Sequence, residues 1–337
     1  MADSRRSSKQ RILVVRRDNI GDLVCTTPLI SALRQRFPDA WIGALVNSYN
    51  APVLRGNPDI DEVFAYRKLK HREENDTLLA NLGIRYRMVA SLRRKRLDYV
   101  VLAGNAARAK WLVRMLGAKA VVGPTAAPAG GTHAAGGLHE VEITFRLAQA
   151  FGIDGVPPLP TVVPDAAQVD RLRTAIAAQF PDASTLFGVH ISARKPSQRW
   201  PIERFAELIH AITRHSGAGV LLFWSPGPGN DPRHPGDDEK ARTLGLELRS
   251  LPIIPVATRD LGDLIAGLSL CSRVICSDGG AMHLAAALRR PIVCLFGRSD
   301  KARWRPWGVP HVLLQPGSRD VRDISTAQVL EALDRLG

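Results

Sequence analysis

Residues 11–37 decide the fold: Arg11-Ile-Leu-Val-Val15, then Arg16-Arg-Asp-Asn-Ile-Gly-Asp22, then a run from Leu23 to Phe37 with apolar residues at helical spacing. A short β-branched apolar run, a polar turn with glycine and a helical pattern read as strand, loop and helix. Pro38-Asp39 ends the helix, and Trp41 to Val46 supplies the next strand. Val63 to Tyr66 and Tyr99 to Leu102 read as two more strands, each beside a helical pattern. Such alternation predicts a parallel sheet with helices on both faces.

The pattern breaks at Gly155-Val-Pro-Pro-Leu-Pro160, with Pro164 just beyond, and then restarts. Strands are expected at Leu186 to His190, Gly219 to Trp224, Val274 to Cys276 and Ile292 to Phe296. Helices are expected at Ile202 to His215, Leu261 to Leu270 and Met282 to Leu288. The expected fold class is therefore α/β, with two doubly wound, Rossmann-like domains facing a cleft. Open parallel sheets bind ligands at the carboxyl ends of their strands.

The chain has 337 residues, enough for two domains; 45% are hydrophobic and 23% charged, ordinary for a globular protein. No apolar run approaches the roughly 18 to 20 residues of a membrane span. Ile12 to Val15 is too short for the core of a secretory signal, so a cytoplasmic location is expected. Cys25, Cys271, Cys276 and Cys294 show neither CxxC nor zinc-finger spacing, which points away from a disulfide framework or a structural metal. Net charge is +14 and concentrated early: residues 1–164 hold 24 Lys/Arg against 14 Asp/Glu. That asymmetry predicts an anionic partner for the first half. With 6% aromatic residues and no RRM, KH or helix-turn-helix pattern, nucleic acid is not the expected one.

Three post-strand turns carry candidate chemistry. In Asp18-Asn-Ile-Gly-Asp22, the carboxylate of Asp22 stands at the mouth of the sheet, where it can serve as a general base or cap the following helix. Ser277-Asp278-Gly279-Gly280-Ala-Met-His283 offers backbone amides at a helix N-terminus, an arrangement suited to a diphosphate. His283 can donate to a phosphate oxygen or be satisfied inside the domain. His190 to Pro201 places Ser192, Arg194, Lys195 and Arg199 in one loop, which reads as a metal-free phosphate clamp or a solvated basic loop. There is no GxGxxG after either opening strand and no GxxxxGK[ST], which disfavours a dinucleotide dehydrogenase or P-loop enzyme. Asp59-Ile-Asp61 imitates a metal-binding pair but lies in a turn, and reads as structural.

Together, Arg17 to Asp22 with Thr27-Pro28 and Phe37-Pro38, His190 to Pro201, Asp278 to Ala286, Leu295-Phe-Gly297 and Trp304-Arg-Pro-Trp-Gly308 resemble glycosyltransferase family 9, the ADP-heptose:lipopolysaccharide heptosyltransferases. The resemblance runs from about residue 11 to 335. It implies a GT-B fold: an acceptor-binding domain over 11–160, a nucleotide-sugar-binding domain over 165–324 and a C-terminal helix over 325–337. It implies inversion at the anomeric carbon, with Asp22 as general base. Ser192, Arg194, Lys195, Arg199, Asp237, Asp278, Gly279, Gly280 and His283 are then expected at the nucleotide-sugar, with the ribose carboxylate falling at Asp237 or Asp238, and Asp18, Arg93 and Arg94 at the acceptor. The chain departs from the family pattern at two points. Gly279 stands where a threonine is common, and Gln198 where a lysine precedes Trp-Pro, leaving Lys195 or Arg199 to supply that charge.

The implied donor is ADP-heptose, a substrate and not a cofactor, and no metal or other cofactor is expected. The implied acceptor is an anionic glycolipid, the lipopolysaccharide core. A relative using another nucleotide-sugar or a protein acceptor, a nucleotide-sugar epimerase and a non-catalytic sugar-binding relative are the competing readings. Arg67 to Arg96 holds ten Lys/Arg interleaved with Leu78, Leu79, Leu82, Met88, Val89 and Leu92. It is expected to face the cleft and recruit the chain to the inner face of the bacterial inner membrane, or else to be a solvated helix.

Overall fold

The computed structural model describes residues 9–66, 78–104, 113–124, 137–180, 185–216, 218–231 and 235–336. The chain forms two units, Met1–Leu159 and Pro160–Gly337, the division falling inside the Gly155 to Pro160 break. Of the basic segment expected to meet the membrane, Arg67, Lys68, Lys70 and Arg72 with Glu73, Glu74 and Asp76 lie outside the described residues.

Among the described residues the first unit holds five strands, β1 (Arg11–Val15), β2 (Trp41–Asn47), β3 (Glu62–Tyr66), β4 (Tyr99–Leu102) and β5 (Ala120–Val122), in the order β3-β2-β1-β4-β5. All pairings are parallel. Side chains alternate across a strand, and β1 uses both sides. Ile12 and Val14 pack with Leu29, Leu33, Phe145 and Phe151, while Leu13 and Val15 pack with Leu45, Leu92, Leu97 and Val100. A strand buried on both faces explains the unbroken apolar run in the sequence.

The single helix expected from Leu23 to Phe37 is two, Ile20–Val24 and Thr27–Arg36. Pro28 has no N–H to give the Val24 carbonyl, and the Thr27 hydroxyl donates to that carbonyl at 2.8 Å instead. The break lets the first short helix carry Asp22 at the end of β1. The DxD-like pair is structural. Asp61 Oδ2 accepts from the Ile42 N–H and from Arg34 Nη2, both at 2.6 Å, and Asp59 accepts from the Ser31 hydroxyl.

The second unit holds β6 (Leu186–His190), β7 (Gly219–Trp224), β8 (Ile253–Ala257), β9 (Arg273–Ser277), β10 (Ile292–Leu295) and β11 (His311–Leu314), in the order β11-β10-β9-β6-β7-β8, again all parallel. β8 contains Pro255, which reads as a strand breaker; it is tolerated because β8 is the sheet edge and its other side needs no ladder. Trp200, 2% exposed, packs edge-on to Phe205 at 4.9 Å and donates its indole N–H to the Ile324 carbonyl at 2.8 Å. That bond ties the end of the 191–199 loop to the segment leading into the last helix, Thr326–Asp334. All four cysteines are free and buried.

Candidate active site

In the first unit the site is built on Arg16, the residue after β1, only 4% exposed. Its Nη2 lies 2.5 Å from Asp22 Oδ1 and 2.8 Å from Glu140 Oε1. Nη1 donates to the Ala103 carbonyl, which follows β4, and at 3.4 Å to Thr144 Oγ1. Nε stands 3.2 Å from Asp18 Oδ2. Burial opposes the guanidinium charge, but Asp22, Glu140 and Asp18 outweigh it and hold the arginine above its usual range.

Asp22 is not the helix N-cap. Asn19 takes that position and Asp22, three residues on, reaches back: its Oδ2 accepts from the Asn19 backbone N–H and from Asn19 Nδ2, both at 3.0 Å. Arg16 and Asn19 thus hold opposite oxygens of the carboxylate, whose side chain retains 12% exposure. The backbone before it is pinned as well. The Asp18 carbonyl accepts from the Tyr49 hydroxyl at 2.8 Å and from Asn47 Nδ2 at 2.9 Å.

Glu140 was not a candidate on the sequence. Its signal was its spacing: with Val141, Thr144 and Phe145 it falls on the buried face of the helix Glu140–Phe145, and a carboxylate there needs a partner. His139 starts that helix, its Nδ1 accepting from the Val141 N–H at 3.1 Å, and its own N–H donates to Glu142 Oε2 at 2.7 Å.

Arg93 and Arg94 are not brought to this site. They end the helix Leu78–Arg94 at the amino edge of the sheet, where the Lys95 carbonyl accepts from Arg11 and Asp98 accepts the Arg11 N–H. Asp18 and Asp22 follow the carboxyl end of β1. The strand between spans on the order of 15 Å. Lys95 is already committed: its Nζ lies 2.5 Å from Glu62 Oε2 and 4.9 Å from the ring centroid of Trp41. A chain leaving a helix must enter the next parallel strand at its amino end, so the last turn of a crossover helix faces away from the carboxyl edge.

In the second unit, β10, β9 and β6 are neighbours, and the loops after their carboxyl ends meet. Gln198 Nε2 donates to Asp278 Oδ2 at 2.7 Å and to Ser299 Oγ at 3.2 Å, and Lys195 Nζ lies 3.3 Å from the same Ser299 Oγ. The Ser277 hydroxyl donates to the Gln198 carbonyl at 2.7 Å. A side chain at Gly297 would run into the Ser197 carbonyl, so glycine lets the third loop close on the first. Burial raises the carboxyl pKa of Asp278, opposed by Ser299, Lys195 and Gln198. Gly279 has extended backbone, and a side chain there would meet nothing nearer than the Ser277 carbonyl at 4.0 Å, so the turn above the helix Gly280–Ala287 is open.

The remaining predicted residues divide. Ser192 Oγ accepts from the Ser225 N–H at 2.9 Å, and Arg194 is exposed. Arg199 curls onto its own loop, donating to the Ala193 and Arg194 carbonyls at 3.1 and 3.3 Å, which leaves Lys195 as the cation beside Asp278. His283 is 4% exposed, with its ring edge-on to Trp304 at 5.9 Å. Asp238 is tied into the fold through Trp224 Nε1 at 2.8 Å and the Gly227 N–H at 2.9 Å, bonds that lower its pKa. Asp237, just before the helix Asp238–Glu247, donates its N–H to the Ser225 carbonyl at 2.9 Å, and its charge opposes the lowering of the Lys240 pKa that burial causes. Among the described residues no three His, Cys, Asp or Glu side chains cluster as metal ligands, and no helix is long and apolar enough to cross a membrane.

Two parallel sheets flanked by helices, with functional loops at the carboxyl ends of their strands, define an α/β protein of the GT-B fold. The chain belongs to glycosyltransferase family 9 (heptosyltransferase), whose pattern it matches over residues 85–322, and it is a glycosyltransferase. It is similar to lipopolysaccharide heptosyltransferase 3 of Escherichia coli, with 25% identity covering 94% of this chain and 96% of that one. Among solved structures, the family 9 glycosyl transferase of Veillonella parvula superposes with a TM-score of 0.79 at 20% identity, covering 97% of each chain. E. coli heptosyltransferase WaaC with ADP-2-deoxy-2-fluoro heptose superposes with a TM-score of 0.75 at 19% identity, covering 97% of this chain and 100% of that one.

Proposed function

We propose that this glycosyltransferase moves a heptose from ADP-heptose to an inner-core sugar of lipopolysaccharide, with inversion at the anomeric carbon and without a metal. The observation that carries the reading is the carboxylate of Asp22, held at both oxygens yet still reached by solvent at the carboxyl end of β1. The relatives' names support the heptose and the lipopolysaccharide, and WaaC with a fluorinated ADP-heptose supports the donor.

Asp22 accepts the proton of the acceptor hydroxyl as its oxygen bonds to the anomeric carbon. The bond from that carbon to the diphosphate oxygen breaks on the opposite face, its electron pair leaving with ADP. The amides at Gly279 and Gly280, with Lys195, Arg194 and Ser192, stabilise the departing diphosphate, His283 stands beside them, and Asp237 is the carboxylate available to the ribose. Preorganised donors of this kind contribute on the order of 3 kcal/mol each. The enzyme works at the cytoplasmic face of the inner membrane, where a lipid-anchored acceptor would be met.

The test is incubation with ADP-, UDP- and GDP-sugars, with and without deacylated core oligosaccharide, in EDTA and in added divalent cation. Acceptor-dependent ADP release from ADP-heptose, equal in both media, is the expected result. Release from another nucleotide-sugar would reassign the donor, conversion of donor without acceptor would favour an epimerase, and loss in EDTA would refute metal independence.

A further inference from the structure

The first unit devotes a buried ion-pair network to Asp22, larger than orienting one side chain requires. One nitrogen of Arg16 is shared between Asp22 Oδ1 at 2.5 Å and Glu140 Oε1 at 2.8 Å, and Glu140 is 3% exposed. Asn19 alone already holds the other Asp22 oxygen. A lone buried arginine facing a base would concentrate its charge on that carboxylate and weaken it. A second carboxylate on the same nitrogen draws the guanidinium away and returns negative charge to the site. Arg16 and Asn19 bond the Asp22 carboxylate directly, while Asp18 from the strand end and Glu140 and Thr144 from the helix Glu140–Phe145 meet Arg16, with His139 capping that helix.

We propose that Glu140 is a positioning residue that acts through Arg16 to fix the Asp22 carboxylate and keep it basic enough to take the acceptor proton. The inference rests on the reading of Asp22 as the general base. Glu140 itself touches no reacting atom. Its negative charge, shared through one arginine nitrogen, offsets the arginine charge that Asp22 faces, while the helix that carries it sets where Arg16 stands. Glu140→Gln removes the charge and keeps the shape.

The experiment measures kcat against pH for wild type, Glu140→Gln, Glu140→Asp and Asp22→Asn, with donor affinity by calorimetry and the melting temperature of each. Glu140→Gln should lower kcat about 10²-fold, as a misplaced catalytic group does. Its acidic limb should move to lower pH, because the carboxylate that shares the Arg16 nitrogen with Asp22 has lost its charge. Donor affinity should be unchanged, and Glu140→Asp should fall between in both readouts, also covering the case of an unfolded Glu140→Gln. An acidic limb unmoved in the folded variants, whatever their kcat, would overturn the proposal and leave Glu140 a structural anchor. Asp22→Asn separates the two readings: if it stays active the base assignment fails, whereas if it is inactive and the Glu140 variants keep the wild-type limb, only the present inference fails.

Discussion

Gln198 Nε2 lies 2.7 Å from Asp278 Oδ2, so a neutral amide stands where family 9 chains commonly carry a lysine, beside a half-buried carboxylate whose pKa burial has raised. The nearby charge comes from Lys195, 3.3 Å from Ser299 Oγ. A charge-assisted bond is about twice as strong as a neutral one. Gln198→Lys should therefore lower the Asp278 pKa and tighten binding of the nucleotide-sugar diphosphate by about tenfold, roughly 1.4 kcal/mol. Calorimetry with donor checks this; equal affinity in the variant would mean that Lys195 already supplies all the charge the diphosphate uses.

Asp22→Asn should keep the fold and donor affinity, because an amide can still face Asn19 and the donor turn belongs to the other unit. It cannot take a proton. Turnover should drop about 10² to 10⁴-fold. Retention of more than about a tenth of wild-type turnover would contradict the base assignment.

His190, at the carboxyl end of β6, has its pKa lowered to about 4, first by burial and then by charged Lys240, against a hydrogen bond with the Ser192 backbone. The folded chain therefore resists a proton that the unfolded chain accepts near pH 6.5. Stability should fall as pH drops from about 6.5 to about 4 and lose no more from this group below that, a total of at most roughly 3 kcal/mol, discounted for the solvent that reaches the half-buried ring. His190→Gln should flatten the chemical-denaturation midpoint over that interval. A wild-type slope in the variant would assign the acid sensitivity to another group.

What the sequence made legible was whatever depends on local patterning. β1, β4, β6 and β7 fall on their predicted bounds because each is buried on both sides and reads as an apolar run. β5, only three residues long, and β8, interrupted by Pro255, carry too little pattern to register. The same distinction separates the site residues. Asp22, Asp278 and the 192–199 loop follow strands, where position alone marks them, whereas Glu140 reaches Asp22 only through Arg16, 124 residues earlier in the chain. Arg93 and Arg94 show the converse: a charge cluster is visible in one dimension, but which edge of a sheet it occupies depends on the direction of the next strand.

That placement changes what the basic segment is expected to do. Arg87, Arg93 and Arg94 are exposed, as are Ile84 at 58% and Tyr86 at 75%, on a helix whose Leu92 is buried in the core of its own unit. Cations beside an aromatic and an aliphatic side chain suit an anionic lipid surface, each contributing about 1 kcal/mol and falling with salt. Arg93 and Arg94, which end this helix, stand at the amino edge of the sheet, away from Asp22. Reversing Arg87, Arg93 and Arg94 to glutamate, with Lys95 spared to keep its pair with Glu62, should abolish salt-sensitive binding to phosphatidylglycerol vesicles. The KM for a deacylated, soluble acceptor should stay unchanged, while the rate on acceptor embedded in vesicles falls. Equal vesicle binding by variant and wild type would return these residues to a solvated face, and a raised KM for the soluble acceptor would place them at the acceptor site after all.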